Sequence, residues 1–271
     1  MRYKAFSFGS DPWDPSNRFV SSWLLSPWLL FAGRLLIGLY ALATRLYSIV
    51  WRCTHDDCAS AGRSFPSLTV QTYWGIVCYF LVASVHTGYY AFHGRSLLQR
   101  LCRPLQAMHA LFYSTIVTLP LLVTIVYWGI LFDGYPLDNE GGHHSATFVI
   151  WDDVSHHAVN GAFALFEIVI PRTAPMLWVH AFWLLIILAL YIGLAFLTLA
   201  TQGFYMYPFL DYRAVGGRAM VAAYLIGFAA GAVLVFCAVQ AVIWFRRWAT
   251  ETKLGLNGKA AEMAGRSHDL S

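Results

Sequence analysis

The chain is 271 residues long, 58% hydrophobic, 17% aromatic and only 12% charged, with a mean hydropathy of +0.55. A soluble domain carries about 25% charged residues, so this composition excludes a water-covered globule and makes lipid the main solvent of the surface. The formal net charge of +4 is modest, and no basic stripe of the kind that holds nucleic acid is present.

The first 18 residues include Arg2, Lys4, Asp11, Asp14 and Arg18, with no short apolar core and cleavage site, so they do not read as a secretory signal. Beyond them, six windows approach the roughly 20 apolar residues that a membrane span needs. They run over 27–50, 68–92, 105–132 (with Pro120 inside), 149–170, 176–204 and 220–245. The expected fold is therefore an all-α integral membrane protein, a six-transmembrane-helix bundle. Residues 1–26 form an N-terminal tail, 27–246 the transmembrane domain and 247–271 a flexible C-terminal tail.

Loop charges orient this layout. Lys and Arg number twelve on the side of the two tails and the second and fourth loops, against four on the other side. The positive-inside rule then places both termini in the cytosol, in the endoplasmic reticulum and endomembrane system or in the plasma membrane. The loop between the third and fourth windows, DGYPLDNEGGHH, belongs on the far side. In the first loop, Cys53 and Cys58 can pair as a disulfide or bind a metal, and with no second ligand pair nearby a metal is the weaker reading. No cofactor is expected. His86, His109, His157 and His180 are spread over four windows, but His157 lies near the opposite face from the others, which defeats a di-haem arrangement.

The fourth window is the polar exception. It reads VIWDDVSHHAVNGAFALFEIVI, and at helical spacing Asp153, His156 or His157, Asn160 and Glu167 make one stripe. Ionisable groups inside a span are costly and mark function unless they satisfy one another across helices. Thr69 and Thr72 open the second window. Thr72 falls at about the depth of His157, which permits a nucleophile and base pair with Asp153 orienting the imidazole. The rival reading makes the stripe an ion or proton path, and the bland one leaves every hydroxyl bonded to its own helix.

Four segments, LTVQTYWG, RPLQAMHALFYSTIVTLP, WDDVSHHAVNGAFALFEIVIPR and QGFYMYPFLD, carry a resemblance in order and spacing over residues 20–250. The chain resembles the androgen-induced membrane protein family, whose members include the androgen-dependent regulator of tissue factor pathway inhibitor, and in particular its fungal-type branch. Animal members are intramembrane threonine hydrolases that cleave esters between a fatty acid and a hydroxy fatty acid. The resemblance implies a membrane lipid substrate, His157 as the catalytic histidine, and Thr72 as nucleophile if QTYW is matched. It implies Thr69 as the alternative nucleophile if the literal Leu-Thr pair is matched, but the spacing to Pro120 and His157 favours Thr72. Tyr207 and Pro208 match the family's Tyr-Pro, and Asn160 or Tyr207 is the expected oxyanion donor. Asp152-Asp153-Val154 departs from the Leu-Asn-His of animal members, so the first histidine of their cluster is missing here. Glu167 lies too far along the helix for the same proton transfer and is expected to anchor Arg172 or another helix.

Overall fold

The computed structural model describes residues 13–55, 58–132, 134 and 146–256. The loop sequence DGYPLDNEGGHH thus lies, but for Gly134, outside the described residues, as do residues 1–12 and 257–271 of the tails. Among the described residues there is no strand, only an isolated bridge between Ser22 and Pro171. The helices are α1 (Pro27–His55), α2 (Cys58–Ser64), α3 (Leu68–His93), α4 (Arg103–Val126), α5 (Ala146–Asp153), α6 (Asn160–Val169), α7 (Val179–Gln202) and α8 (Arg218–Arg247). Wide π-helical turns extend α4 over Tyr127–Leu131, join α5 to α6 over Val154–Val159, and extend α8 over Trp248–Lys253.

Five stretches, Pro27–His55, Leu68–His93, Arg103–Leu131, Val179–Gln202 and Arg218–Lys253, are long and apolar enough to cross a membrane. The fold is all-α, and these helices support a multi-pass membrane protein. The expected count of six becomes five by this measure. The fourth expected span is present as the helical run α5, π turn and α6 over residues 146–169. Its two aspartates, two histidines, asparagine and glutamate set it apart from the other five. Outward-facing side chains agree with a lipid surround: Leu36, Leu190, Ile226 and Leu234 are each about two-thirds exposed. The core that faces inward is continuous from α1 through α8, centred on Tyr79, Phe80, Ile116, Val117 and Phe236.

Polar contacts sort the helix ends into two groups. At one end Ser22 Oγ donates to Ile170 O, Trp23 Nε1 donates to Val169 O, and Arg18 pairs with Glu251 at 2.7 Å. Gln99 reaches Asp14 O and Asn17 Oδ1 there, both at 3.0 Å. This end gathers the start of α1, the end of α3, the end of α6 and the end of α8, so the first and last described segments meet. The C-terminal tail expected from residue 247 begins as helix and is tied down through Glu251.

Glu167 finds its partner inside this half of the bundle. Arg34 of α1 grips both carboxylate oxygens, and Tyr79 donates to Oε1 at 2.9 Å. Arg34 also donates to Thr87 Oγ at 2.6 Å and to Phe19 O at 2.8 Å. The anchor is thus α1 rather than Arg172, which instead lies 3.8 Å from Glu251. Arg246 donates to the carbonyls of Ile168, Pro171 and Thr173, which end α6 without helical partners. Gln240 satisfies both the N–H and the C=O of Met176 in the extended segment that follows.

The opposite end gathers the end of α1, the start of α3, α5 and the α7–α8 connection. Cys53 and Cys58 form a disulfide that ties α2 to α1 across the first loop, which settles the alternatives for that pair.

Candidate functional site

At this second end, local sequence chemistry concentrates polar groups. Ser67 caps α3 by accepting from Val70 N at 3.2 Å. The next free amide, Leu68 N, points between two phenols, 3.0 Å from Tyr191 Oη and 3.1 Å from Tyr207 Oη. Tyr207 also contacts Tyr191 and the Thr69 side chain, and burial pushes its phenol up, so it stays protonated. From α1, Arg52 donates to Asp152 Oδ2 at 2.7 Å.

The π turn at Val154–Val159 decides how the fourth segment presents its side chains. A π turn inserts one extra residue and frees a carbonyl from the regular ladder, a feature concentrated at functional sites. Here the Thr124 hydroxyl of α4 sits 2.6 Å from His157 O and 2.9 Å from Pro120 O. Gly161 lets α6 approach that hydroxyl; a Cβ at 161 would lie only 2.8 Å from Thr124 Oγ. The two adjacent histidines then face different partners. His156 Nδ1 lies 2.9 Å from Asp152 O and 3.1 Å from Asp152 Oδ1, its ring packs over Tyr73, and its buried Nε2 has no hydrogen-bond partner within the described residues. His157 stacks flat on Tyr127, with ring centres 3.5 Å apart and planes 3° from parallel. Its buried Nδ1 is likewise unbonded. Asp153 bonds to Tyr127, so it bears on His157 through that ring rather than directly.

These groups close the polar end of a cavity of about 660 Å³, lined there by Arg45, Arg52, Thr69, Asp152, Asp153, His156, His157 and Tyr207. The remaining wall is apolar, from Leu122 and Val126 of α4, Leu188 and Ile192 of α7, and Phe228 of α8. A cavity of this size, mostly apolar with converging polar groups at one end, has the form of a small-molecule site.

The residues singled out in the sequence divide between compartments. Thr69, His157, Asp153 and Tyr207 share this cavity. Thr72 does not line it; it lines a smaller apolar cavity of about 360 Å³ between α3, α4 and α7, and its hydroxyl donates back to Thr69 O at 3.0 Å. Asn160 is fully buried and lines neither cavity, with both amide atoms unbonded. Arg52, Asp152 and Tyr191 were not singled out from sequence. In the sequence Arg52 is only a charge in the first loop, and a regular helix puts Asp153, not Asp152, on the stripe with His157.

Comparison of the chain with protein-family profiles, with curated proteins and with solved structures gave no match. What the fold and the site define is a class: an all-α protein with helices fit to cross a membrane and a polar-ended cavity among them.

Proposed function

We propose that this chain is a multi-pass membrane hydrolase that cleaves fatty acid esters, of the hydroxy fatty acid type, by acyl transfer to a threonine. The observation that carries the reading is that Thr69, His157 and Tyr207 border one cavity whose other walls are apolar. Of the two threonines, Thr69 is the favoured nucleophile, because Thr72 opens onto a different cavity. His157 takes the proton of the Thr69 hydroxyl, whose oxygen attacks the ester carbonyl and releases the alcohol. Water then frees the acid from the acyl-threonine. The protonated Tyr207 phenol beside the α3 N-terminus is the natural donor to the oxyanion. The resemblance to the androgen-induced membrane protein family assigns the same histidine, and its literal Leu-Thr match assigns Thr69.

A specific observation favours a second assignment of the base. His156 Nδ1 is held by the Asp152 backbone carbonyl at 2.9 Å, with the Asp152 carboxylate beside it, and its Nε2 is unbonded among the described residues, which fixes one tautomer and leaves the other nitrogen for a proton. The topology belongs to the same proposal. Six membrane crossings, with the fourth helical segment buried among the others, put both termini in the cytosol. They also put the Cys53–Cys58 disulfide on the oxidising side, where such bonds persist.

The test is hydrolysis of a long-chain fatty acid ester of a hydroxy fatty acid by purified protein in detergent. Thr69→Ala and either His157→Ala or His156→Ala are expected to lose turnover, whereas Thr72→Ala keeps it. A folded wild type without hydrolysis rejects the reading and favours the ion-path alternative for the polar stripe.

A further inference from the structure

Among the groups at the cavity's polar end that the proposed reaction does not use, Arg45 stands apart. Arg45 of α1 is 98% removed from solvent, lines the cavity, and has no carboxylate within ion-pair distance among the described residues. Among the described residues its one side-chain hydrogen bond is a long one, Nη2 to Ser64 Oγ at 3.4 Å, and its buried Nε has no hydrogen-bond partner. Of the two carboxylates at this end, Asp152 gives Oδ2 to Arg52 and acts on Arg45 only from beyond ion-pair distance, and Asp153 lies against Tyr127.

A buried guanidinium is costly unless it is paired and hydrogen-bonded. Arg34, about three turns earlier on the same face of α1, shows how this fold treats a structural arginine: Glu167, Thr87 and Phe19 O surround it. Arg45 has no such shell, and the space beside it is the cavity.

We propose that Arg45 is an anion-recognition residue, and that the cavity binds a long-chain molecule by its free carboxylate. The Nε edge of a guanidinium matches a planar carboxylate in a bidentate fork. The two aspartates at the same end oppose a dianion such as a phosphate monoester, which leaves a monoanion as the fitting head. The apolar wall of α4, α7 and α8 takes the chain. This inference rests on the reading of the cavity as an acyl site, and it names a specificity residue for that site: the ester cleaved there keeps a carboxylate of its own.

The experiment measures binding apart from turnover. Full-length Thr69→Ala protein in detergent is loaded with tritiated palmitate, which is then displaced by unlabelled palmitate, methyl palmitate or a palmitoyl phosphodiester. Palmitate is expected to bind at least about tenfold more tightly than its methyl ester, the scale of one charge-assisted hydrogen bond. Adding Arg45→Met should abolish that preference while leaving methyl palmitate unchanged, and Arg45→Lys should restore part of it. Equal affinity for acid and methyl ester, or a preference that survives Arg45→Met, overturns the proposal. Tighter binding of the phosphodiester overturns the carboxylate assignment. Because the protein lacks the proposed nucleophile, failure here is separate from failure of the hydrolase reading, which wild-type turnover of a neutral p-nitrophenyl ester reports. Should Arg45→Met not fold, the acid-to-ester comparison in the parent protein still decides.

Discussion

The two ends of the bundle bury charge in opposite ways. At the end where the first and last described segments meet, these arginines find partners that belong to the fold: Arg34 with Glu167, Arg18 with Glu251, Arg246 with three carbonyls. At the other end Arg45 Nε, His156 Nε2 and His157 Nδ1 are buried and unbonded among the described residues, and all three side chains border one cavity. Among the described residues the first end has exceptions in His86 Nδ1, Ser96 Oγ and Arg172 Nε, none of which lines this cavity. The same physics governs both, since an unmade hydrogen bond on a buried polar group costs about 1–3 kcal/mol and more for a charged group. Where evolution leaves several such groups together around a space, the fold has accepted that cost for something other than its own stability.

Substitutions can break or sharpen this contrast. The largest effect is expected at the cavity end and in activity alone. Thr69→Ala should lower ester turnover by at least about 10³-fold, the scale for a missing nucleophile, with the thermal midpoint in detergent almost unmoved. At the other end Glu167→Ala should do the reverse. Leaving Arg34 buried without its carboxylate costs about 3–5 kcal/mol, which thermal unfolding would read directly. If Glu167→Ala melts like wild type, the contrast between the ends collapses.

Gly161→Ala probes the junction between the two regions. Its Cβ would press on the Thr124 hydroxyl that supports the π turn, and overpacking of this kind costs about 1–3 kcal/mol. A drop in both melting temperature and turnover is expected; turnover lost without loss of stability would mean that the turn is set for catalysis more than for packing. Asp152→Asn is smaller again. It removes the charge facing Arg52 and His156 but keeps the shape, so about a tenfold fall in kcat/KM is expected, measured alongside stability. Thr72→Ala should change turnover least, because its hydroxyl only bonds back to Thr69 O.

Much of the fold was legible in the sequence because lipid imposes a simple demand: long apolar runs with backbone bonds closed inside each helix. The windows at 27–50 and 68–92 match α1 and α3 to within a turn or so, and Pro120 sits inside α4 as expected. The polarity of the fourth segment was plain too, and that segment lines the polar end of the cavity. Its geometry was not, because offsets of three, four and seven assume 3.6 residues per turn, and the π turn at Val154–Val159 adds a residue in the middle. The Asp152–His156 pair keeps ordinary i,i+4 spacing, while His157, inside the π turn, stacks on Tyr127. Depth along a helix likewise could not tell Thr69 from Thr72. The two differ in the face they present, and only the packing of α4 and α7 against α3 shows which cavity each one borders. Arg45 was visible as a charge inside a span, but its lack of a partner is a tertiary fact.

The most direct test is to locate the covalent adduct left by a fluorophosphonate probe on the folded wild-type protein, by mass spectrometry of its peptides. The account predicts one modified residue, Thr69, with labelling lost in His157→Ala or, under the second assignment of the base, in His156→Ala. An adduct on Thr72, or no adduct on protein that binds acyl ligands in the cavity, would contradict it.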